Sequence, residues 1–178
     1  AANLCMVMDD GDKMKALIDD ARANGVDFRL PDVNVSEWFF SVPTENVIQL
    51  GFGAIKGINR ALVEAIVSER EANGPYEDIF DFAARVEGVN SRIFESMVRA
   101  GAFDSIDADR GKLFSNISNA LQGGAAVRQS AGQDSLFGGE ETKKIVNWVE
   151  GEQWSFRRNL EEEMTAFGFA LSGHFFDE

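Results

Sequence analysis

Apolar residues recur at helical spacing at Met14, Leu17, Ile18 and Ala21, and Gly25 stands where a helix C-terminal cap would, which predicts an amphipathic helix over 12–24. Val26-Asp27-Phe28-Arg29-Leu30 then alternates apolar with polar, and Pro31 interrupts it. Trp38–Val42 and Val47–Leu50 are β-type runs separated by Pro43 and Asn46, predicting a small strand pair. From Gly51 the 3.6-residue period returns: Leu62, Ala65, Ile66 and Ala72 mark a helix that Asn73-Gly74-Pro75 terminates. Ile79–Val86 and Ser91–Ala100 are further helices, the second turning Ile93, Phe94, Met97 and Val98 inward, and they run into Gly88 and Gly101. Another helix, around Lys112–Leu121, precedes residues 122–139, whose Gly, Ala, Ser and Gln predict a surface loop. A last helix over Trp154–Phe169 sets Phe156, Leu160, Met164 and Phe167 against Glu161-Glu162-Glu163 on the other side. The expected fold is mainly α with a small β element and two short-turn helix pairs in tandem, divided as 1–46, 47–121, 122–145 and 146–178. The apolar close at Phe175-Phe176 and the opening without a helix start signal read as ends cut from a longer protein.

Composition narrows the class. The 178 residues are 44% hydrophobic, ordinary for a globular chain, and no apolar run approaches the roughly 20 residues that span a bilayer. Ala1-Ala2-Asn3-Leu4-Cys5 lacks the basic and apolar regions of a secretory signal, so the expectation is a cytoplasmic protein with no membrane partner. One cysteine and one histidine supply neither an internal disulfide nor a structural zinc site. Cys5 is expected in the core, and His174 as a structural hydrogen-bonding residue. Asp9-Asp10 and Asp12 superficially invite a metal, but they precede a helix and favour its N-terminal dipole.

A net charge of −13 argues at first against nucleic acid, but the acid is unevenly placed. Residues 47–72 carry 3 basic and 3 acidic groups and residues 85–112 carry 5 of each, so the excess lies elsewhere. These neutral stretches hold the two tight turns. In the first, Lys56-Gly57-Ile58-Asn59-Arg60 joins a short helix to a longer one. Such a turn needs small or left-handed-tolerant residues, and it leaves the next helix's first amides pointing outward toward a phosphate oxygen. The pattern resembles the helix-hairpin-helix motif, which reads the DNA backbone without reading sequence. In that motif a second glycine usually stands where Asn59 does, and Asn tolerates the left-handed region it would occupy. Lys56 and Arg60 add charge contacts. The second turn is Gly88-Val89-Asn90-Ser91-Arg92, with Glu87 repelling phosphate and Arg92 attracting it.

Gln133-Asp134-Ser135-Leu136-Phe137, flanked by glycines, puts two large apolar residues in a polar tract with no amphipathic period to bury them, which predicts a pocket on a partner. It resembles the bacterial sliding-clamp-binding motif, in which Gln133 would supply amide hydrogen bonds and Leu136 and Phe137 would be the apolar anchors.

Four further stretches join the hairpin and the pentapeptide: Leu30-Pro31-Asp32-Val33-Asn34-Val35-Ser36, Leu50–Gly57, Arg99-Ala100-Gly101-Ala102-Phe103-Asp104 and Phe167–His174. In this order they resemble the bacterial DNA polymerase III alpha subunit over essentially the whole chain. The resemblance implies the end of the fingers region at 1–46, a tandem helix-hairpin-helix domain at 47–121, a clamp-binding loop at 122–145 and a junction to the next domain at 146–178. It also implies that the intact protein is a DNA-directed DNA polymerase whose magnesium-binding carboxylates lie upstream, with no catalytic residue or cofactor in this segment. The implied partners are the double-stranded DNA backbone, the sliding clamp (beta subunit) and other polymerase III holoenzyme subunits. Phe175-Phe176, where the family carries Pro-Leu, and Asn59 are departures that fit a divergent lineage or an error-prone paralogue. A stand-alone helix-hairpin-helix repair module and a purely structural helical domain remain as alternatives.

Overall fold

A computed structural model describes residues 2–8, 10–134 and 146–173, the last four residues of the second segment by backbone alone. Helix α1 (Ala2–Cys5) brings Leu4 into the core and leaves Cys5 half-buried against it. Helix α2 (Gly11–Ala23) starts at Asp10, whose carboxylate accepts the Lys13 amide at 3.1 Å, and Asp12 occupies its first turn. Both carboxylates thus sit where the helix dipole favours them. Met14 and Ile18 face inward.

The expected strand pair is a three-stranded mixed sheet. Strands β1 (Asp27–Arg29), β2 (Ser41–Thr44) and β3 (Val47–Gln49) lie in the order β1-β3-β2, with β1 parallel and β2 antiparallel to β3. Asn46 turns the β2–β3 corner at φ 63. Trp38 and Phe39, predicted as strand, are not. Their carbonyl side lies against the 51–53 backbone instead, where Phe52 N–H donates to Glu37 O at 2.8 Å and Gly53 N–H to Trp38 O at 3.0 Å.

The Leu30–Ser36 stretch is a structural hub. Arg70 donates to the carbonyls of Val33, Val35 and Ser36, Asn34 and Tyr76 exchange two hydrogen bonds, and Val33 N–H reaches Ala102 O at 2.8 Å. The sheet is thereby fastened to the helices that follow.

Those helices are α3 (Arg60–Asn73), α4 (Ile79–Arg85) and α5 (Ser91–Arg99), preceded by a single 3-10 turn at Phe52–Ala54 in place of the short helix expected there. In α3 the buried face is Leu62, Val63 and Ile66, while Ala65 and Ala72 face solvent. Phe82 lies at the aromatic centre, with Tyr76, Phe94 and Phe103 at centroid distances of 5.1, 5.3 and 5.1 Å. Arg85 on α4 pairs with Glu69 on α3 at 3.0 Å and lies over the Tyr76 ring.

Helix α6 runs from Arg110 to Asp134, so residues 122–134 are helix rather than the predicted loop. The small residues there serve packing: a Cβ on Gly124 would run into the Ala83 carbonyl oxygen, and Arg128 donates to the carbonyls of Ala83 and Ala84 at the end of α4. Residues 146–155 run along α6 without regular secondary structure, fixed where Asn116 and Val149 exchange two 2.8 Å hydrogen bonds.

Helix α7 (Phe156–Phe167) ends at Gly168, φ 94. Its buried face is Leu160, Glu162, Glu163, Ala166 and Phe167, whereas Phe156 and Met164, expected inside, are 42% and 41% exposed. The rotation follows from charge. Fully buried Glu163 accepts from Arg110 at 3.0 Å and from the Leu171 and Ser172 amides at 2.8 and 2.9 Å, and Glu162 meets Arg99 at 3.0 Å and Arg158 at 2.6 Å. Glu163, paired and hydrogen-bonded this fully, and Glu162, paired with two guanidinium groups, tolerate an inner face.

Candidate nucleic-acid interface

Two corners of one design occupy this fold. Aligned on Gly57 and Gly88, Ile55-Lys56-Gly57-Ile58-Asn59 matches Val86-Glu87-Gly88-Val89-Asn90, and further on Glu64 falls on Glu95 and Val67 on Val98. Gly57 and Gly88 hold φ of 84 and 86, and a Cβ on either would meet nothing within 4 Å. The left-handed backbone demands glycine there, while the open space leaves room for a ligand to approach the main chain. Ile58 and the half-buried Val89 anchor the tips to the core.

Asn59 does not stand in for a left-handed glycine. Its backbone is extended, φ −108 and ψ 155, and its side chain caps α3 by accepting the Leu62 amide at 2.9 Å. Asn90 does the same for α5, accepting the Ile93 amide at 3.0 Å. The signal was present in the sequence, since Asn is among the strongest helix N-caps and recurs at the same place in both turns. Each cap satisfies one amide. Those of Gly57, Asn59, Arg60 and Ala61 in the first corner, and of Gly88, Asn90, Ser91 and Arg92 in the second, donate to nothing among the described residues. Each corner thus offers a set of outward N–H groups at the positive end of a helix, an arrangement suited to a phosphate oxygen.

The side chains divide sharply. Lys56, Gly57, Asn59 and Arg60 are exposed, as are Gly88, Asn90, Ser91 and Arg92. Arg60 pairs with Glu64 at 2.9 Å and lies over the Phe39 ring, but the pair is 61% and 64% exposed and costs little to exchange for a phosphate. Ser91 donates to Glu95 at 3.1 Å. Among the described residues most cations are held by an internal carboxylate, carbonyl or ring, and Arg29, Lys56 and Arg92 are the ones whose side chains are not. Two of these three stand at the hairpins. The first corner is also braced from behind, because Lys56 N–H donates to Ala166 O on α7 at 2.9 Å.

The other predicted binding element is only partly in view. Gln133 and Asp134 end α6, and Ser135, Leu136 and Phe137 lie outside the described residues, as do Asp9 and His174. Among the described residues no group of His, Cys, Asp or Glu is placed to hold a metal ion, and no helix is long and apolar enough to cross a membrane.

Comparison with known proteins converges on the same corners. A family model described as the helix-hairpin-helix motif matches residues 25–113, half of the chain. The chain is also similar to DNA polymerase III subunit alpha from several bacteria. The protein of Neisseria meningitidis serogroup A is 38% identical over 177 residues, covering 98% of this chain and 16% of that protein. That of Xylella fastidiosa strain Temecula1 is 34% identical over 184 residues, and that of Borreliella burgdorferi 33% over 182. The chain thus spans about 16% of the length of the curated relatives it matches.

Proposed function

The chain belongs to the helix-hairpin-helix family, and from that premise we propose that it is the DNA-contacting and clamp-binding segment of a DNA polymerase III alpha subunit. The observation that carries the DNA reading is the repeated corner, with a solvent-facing left-handed glycine, a capping Asn and open first-turn amides at both Gly57 and Gly88. Such corners present main chain rather than base-reading side chains, so the contact is with the sugar-phosphate backbone of duplex DNA whatever its sequence. The alternative of a purely structural helical domain gives no reason for two cations that have no partner among the described residues to stand at the same corners.

Within the intact polymerase, the hairpins hold the duplex behind the active site. Magnesium is held by carboxylates outside this segment, which has no catalytic role of its own. Gln133–Phe137 engages an apolar pocket on the sliding clamp, and the tether makes each rebinding to DNA effectively intramolecular, sustaining processive synthesis in the cytoplasm alongside the other holoenzyme subunits. The motif supports this reading by its composition, a glutamine followed by a Leu-Phe pair between glycines.

Two measurements test it. Anisotropy of labelled duplex DNA titrated with the 178-residue chain at low and moderate salt is expected to show weak, sequence-independent binding that falls with salt; no binding at low salt removes the DNA role. Replacing Leu136 and Phe137 with Ala is expected to abolish calorimetric binding to the cognate clamp, and unchanged affinity removes the clamp role.

A further inference from the structure

The two corners share a backbone design and differ in charge. At the position just before the left-handed glycine the first carries Lys56 and the second Glu87, and at the first residue of the following helix the first carries Arg60 and the second Ser91. Glu87 is exposed, and among the described residues it has no hydrogen bond or ion pair. A carboxylate there is not explained by an internal partner. Folding does not require it either, because the cap and the turn that form this corner are the same in both, with a branched residue packed inward at each tip, Ile58 buried and Val89 half-buried. The position is the tip of a motif whose open amides favour an anion, so a negative charge opposes the ligand the backbone is shaped to take. Arg92 adds a cation one residue further into α5 than Arg60 lies in α3, leaving the second corner with no net charge where the first carries two positive ones.

We propose that the hairpins are unequal in duty, the first gripping the phosphate backbone through Lys56 and the second held by Glu87 to a weaker, orienting contact. This rests on the DNA reading above and goes beyond it by assigning a role to a residue that works against binding. A module that bound strongly at both corners would resist sliding along the duplex, whereas one strong and one attenuated corner fix orientation with a grip that releases readily. Affinity for DNA is then left to the rest of the assembly, in keeping with the acid excess of this chain.

The test compares the 178-residue chain with three variants, Glu87→Lys, Lys56→Glu and the exchange of both, by anisotropy on a blunt duplex across a salt series. Glu87→Lys is expected to tighten binding roughly tenfold near 0.1 M salt and to steepen the slope of log affinity against log salt by about one, the signature of one added phosphate contact. Lys56→Glu is expected to weaken binding by a similar factor and flatten the slope, and the exchange to return close to the parent. The exposure of both residues leaves the fold unchanged, which thermal melting checks. If Lys56→Glu weakens binding while Glu87→Lys leaves affinity and slope unaltered, the DNA reading stands and the proposed role of Glu87 is overturned. If neither variant changes affinity, or no variant binds, both fall.

Discussion

Tyr76 is the chain's single tyrosine, and its hydroxyl donates to the Ile66 carbonyl at 2.8 Å with the residue 2% exposed. Burial pushes its pKa from 10.0 up to about 12, outweighing the Arg85 guanidinium 4.5 Å from the ring centroid, which favours the phenolate. A folded-state pKa raised above the unfolded one means the proton is held more tightly in the native chain. That contribution is whole below pH 10 and is lost as pH climbs through about 12. Since no other tyrosine absorbs, the tyrosinate band read against pH is expected to titrate near 12 in the folded protein and near 10 in urea. A midpoint near 10 without denaturant places the hydroxyl in solvent and contradicts the hub in which Tyr76 joins Asn34 and α3. The other instructive residue is Asn59. Its identity is legible from sequence, but two geometries suit asparagine at a turn, and only the position of the Leu62 amide decides for the cap.

At the scale of elements, α6 is where local sequence misleads. Residues 122–134 have a linker's composition, and isolated glycines cost a helix about 1 kcal/mol each relative to Ala. The helix persists because its small side chains let it lie directly on α4, with Gly124 against the Ala83 carbonyl and Arg128 satisfying the last carbonyls of α4. Two effects compete if Gly124 becomes Ala: a propensity gain of about 1 kcal/mol and the overpacking of a methyl against rigid backbone, about 1–3 kcal/mol. The neighbour is main chain and cannot rotate aside, so overpacking wins. Gly124→Ala is expected to lower the urea midpoint, and Gly124→Val to lower it further, with a loss of unfolding free energy of about 2 kcal/mol in all; a raised midpoint for Gly124→Ala shows that the two helices are not in contact there. The hairpins were legible for the opposite reason. Their glycines, caps and breakers act within a few residues, so the determinants of Gly57 and Gly88 lie in the sequence around them. The inner face of α7 was not, because periodicity placed Glu162 and Glu163 outside, and the partners that bring them in, Arg99 and Arg110, are more than fifty residues away.

Across the whole molecule, Glu163 is the point where distant parts meet. Its carboxylate joins α6 through Arg110, itself held by Asp104 at 2.6 Å, to the 171–172 backbone, and α2 reaches the same backbone through Arg22 and the Leu171 carbonyl at 2.5 Å. Burial pushes the Asp104 carboxyl above its ordinary value, and the Arg110 contacts pull it only part of the way back, so the network holds charge at a desolvation cost that its hydrogen bonds offset in part. Deleting one member leaves the others buried and unmatched. Glu163→Ala strands the Leu171 amide and half of the pairing of Arg110, and is expected to cost about 3–5 kcal/mol in urea unfolding with an unchanged m-value. Glu163→Gln keeps the shape and part of the hydrogen bonding, so it should fall between Ala and the parent. The same helix carries Ala166, whose carbonyl accepts the Lys56 amide at 2.9 Å behind the first hairpin. Loosening α7 is therefore felt at the first hairpin corner, and hydrogen exchange at the Lys56 amide is expected to accelerate in Glu163→Ala while the Val86 amide, bonded within α4 and its cap, keeps its parent rate relative to global stability. Equal acceleration at both amides, or a loss below 1 kcal/mol, means that the buried network does not brace the hairpin and that the Lys56 corner is held by its own turn alone.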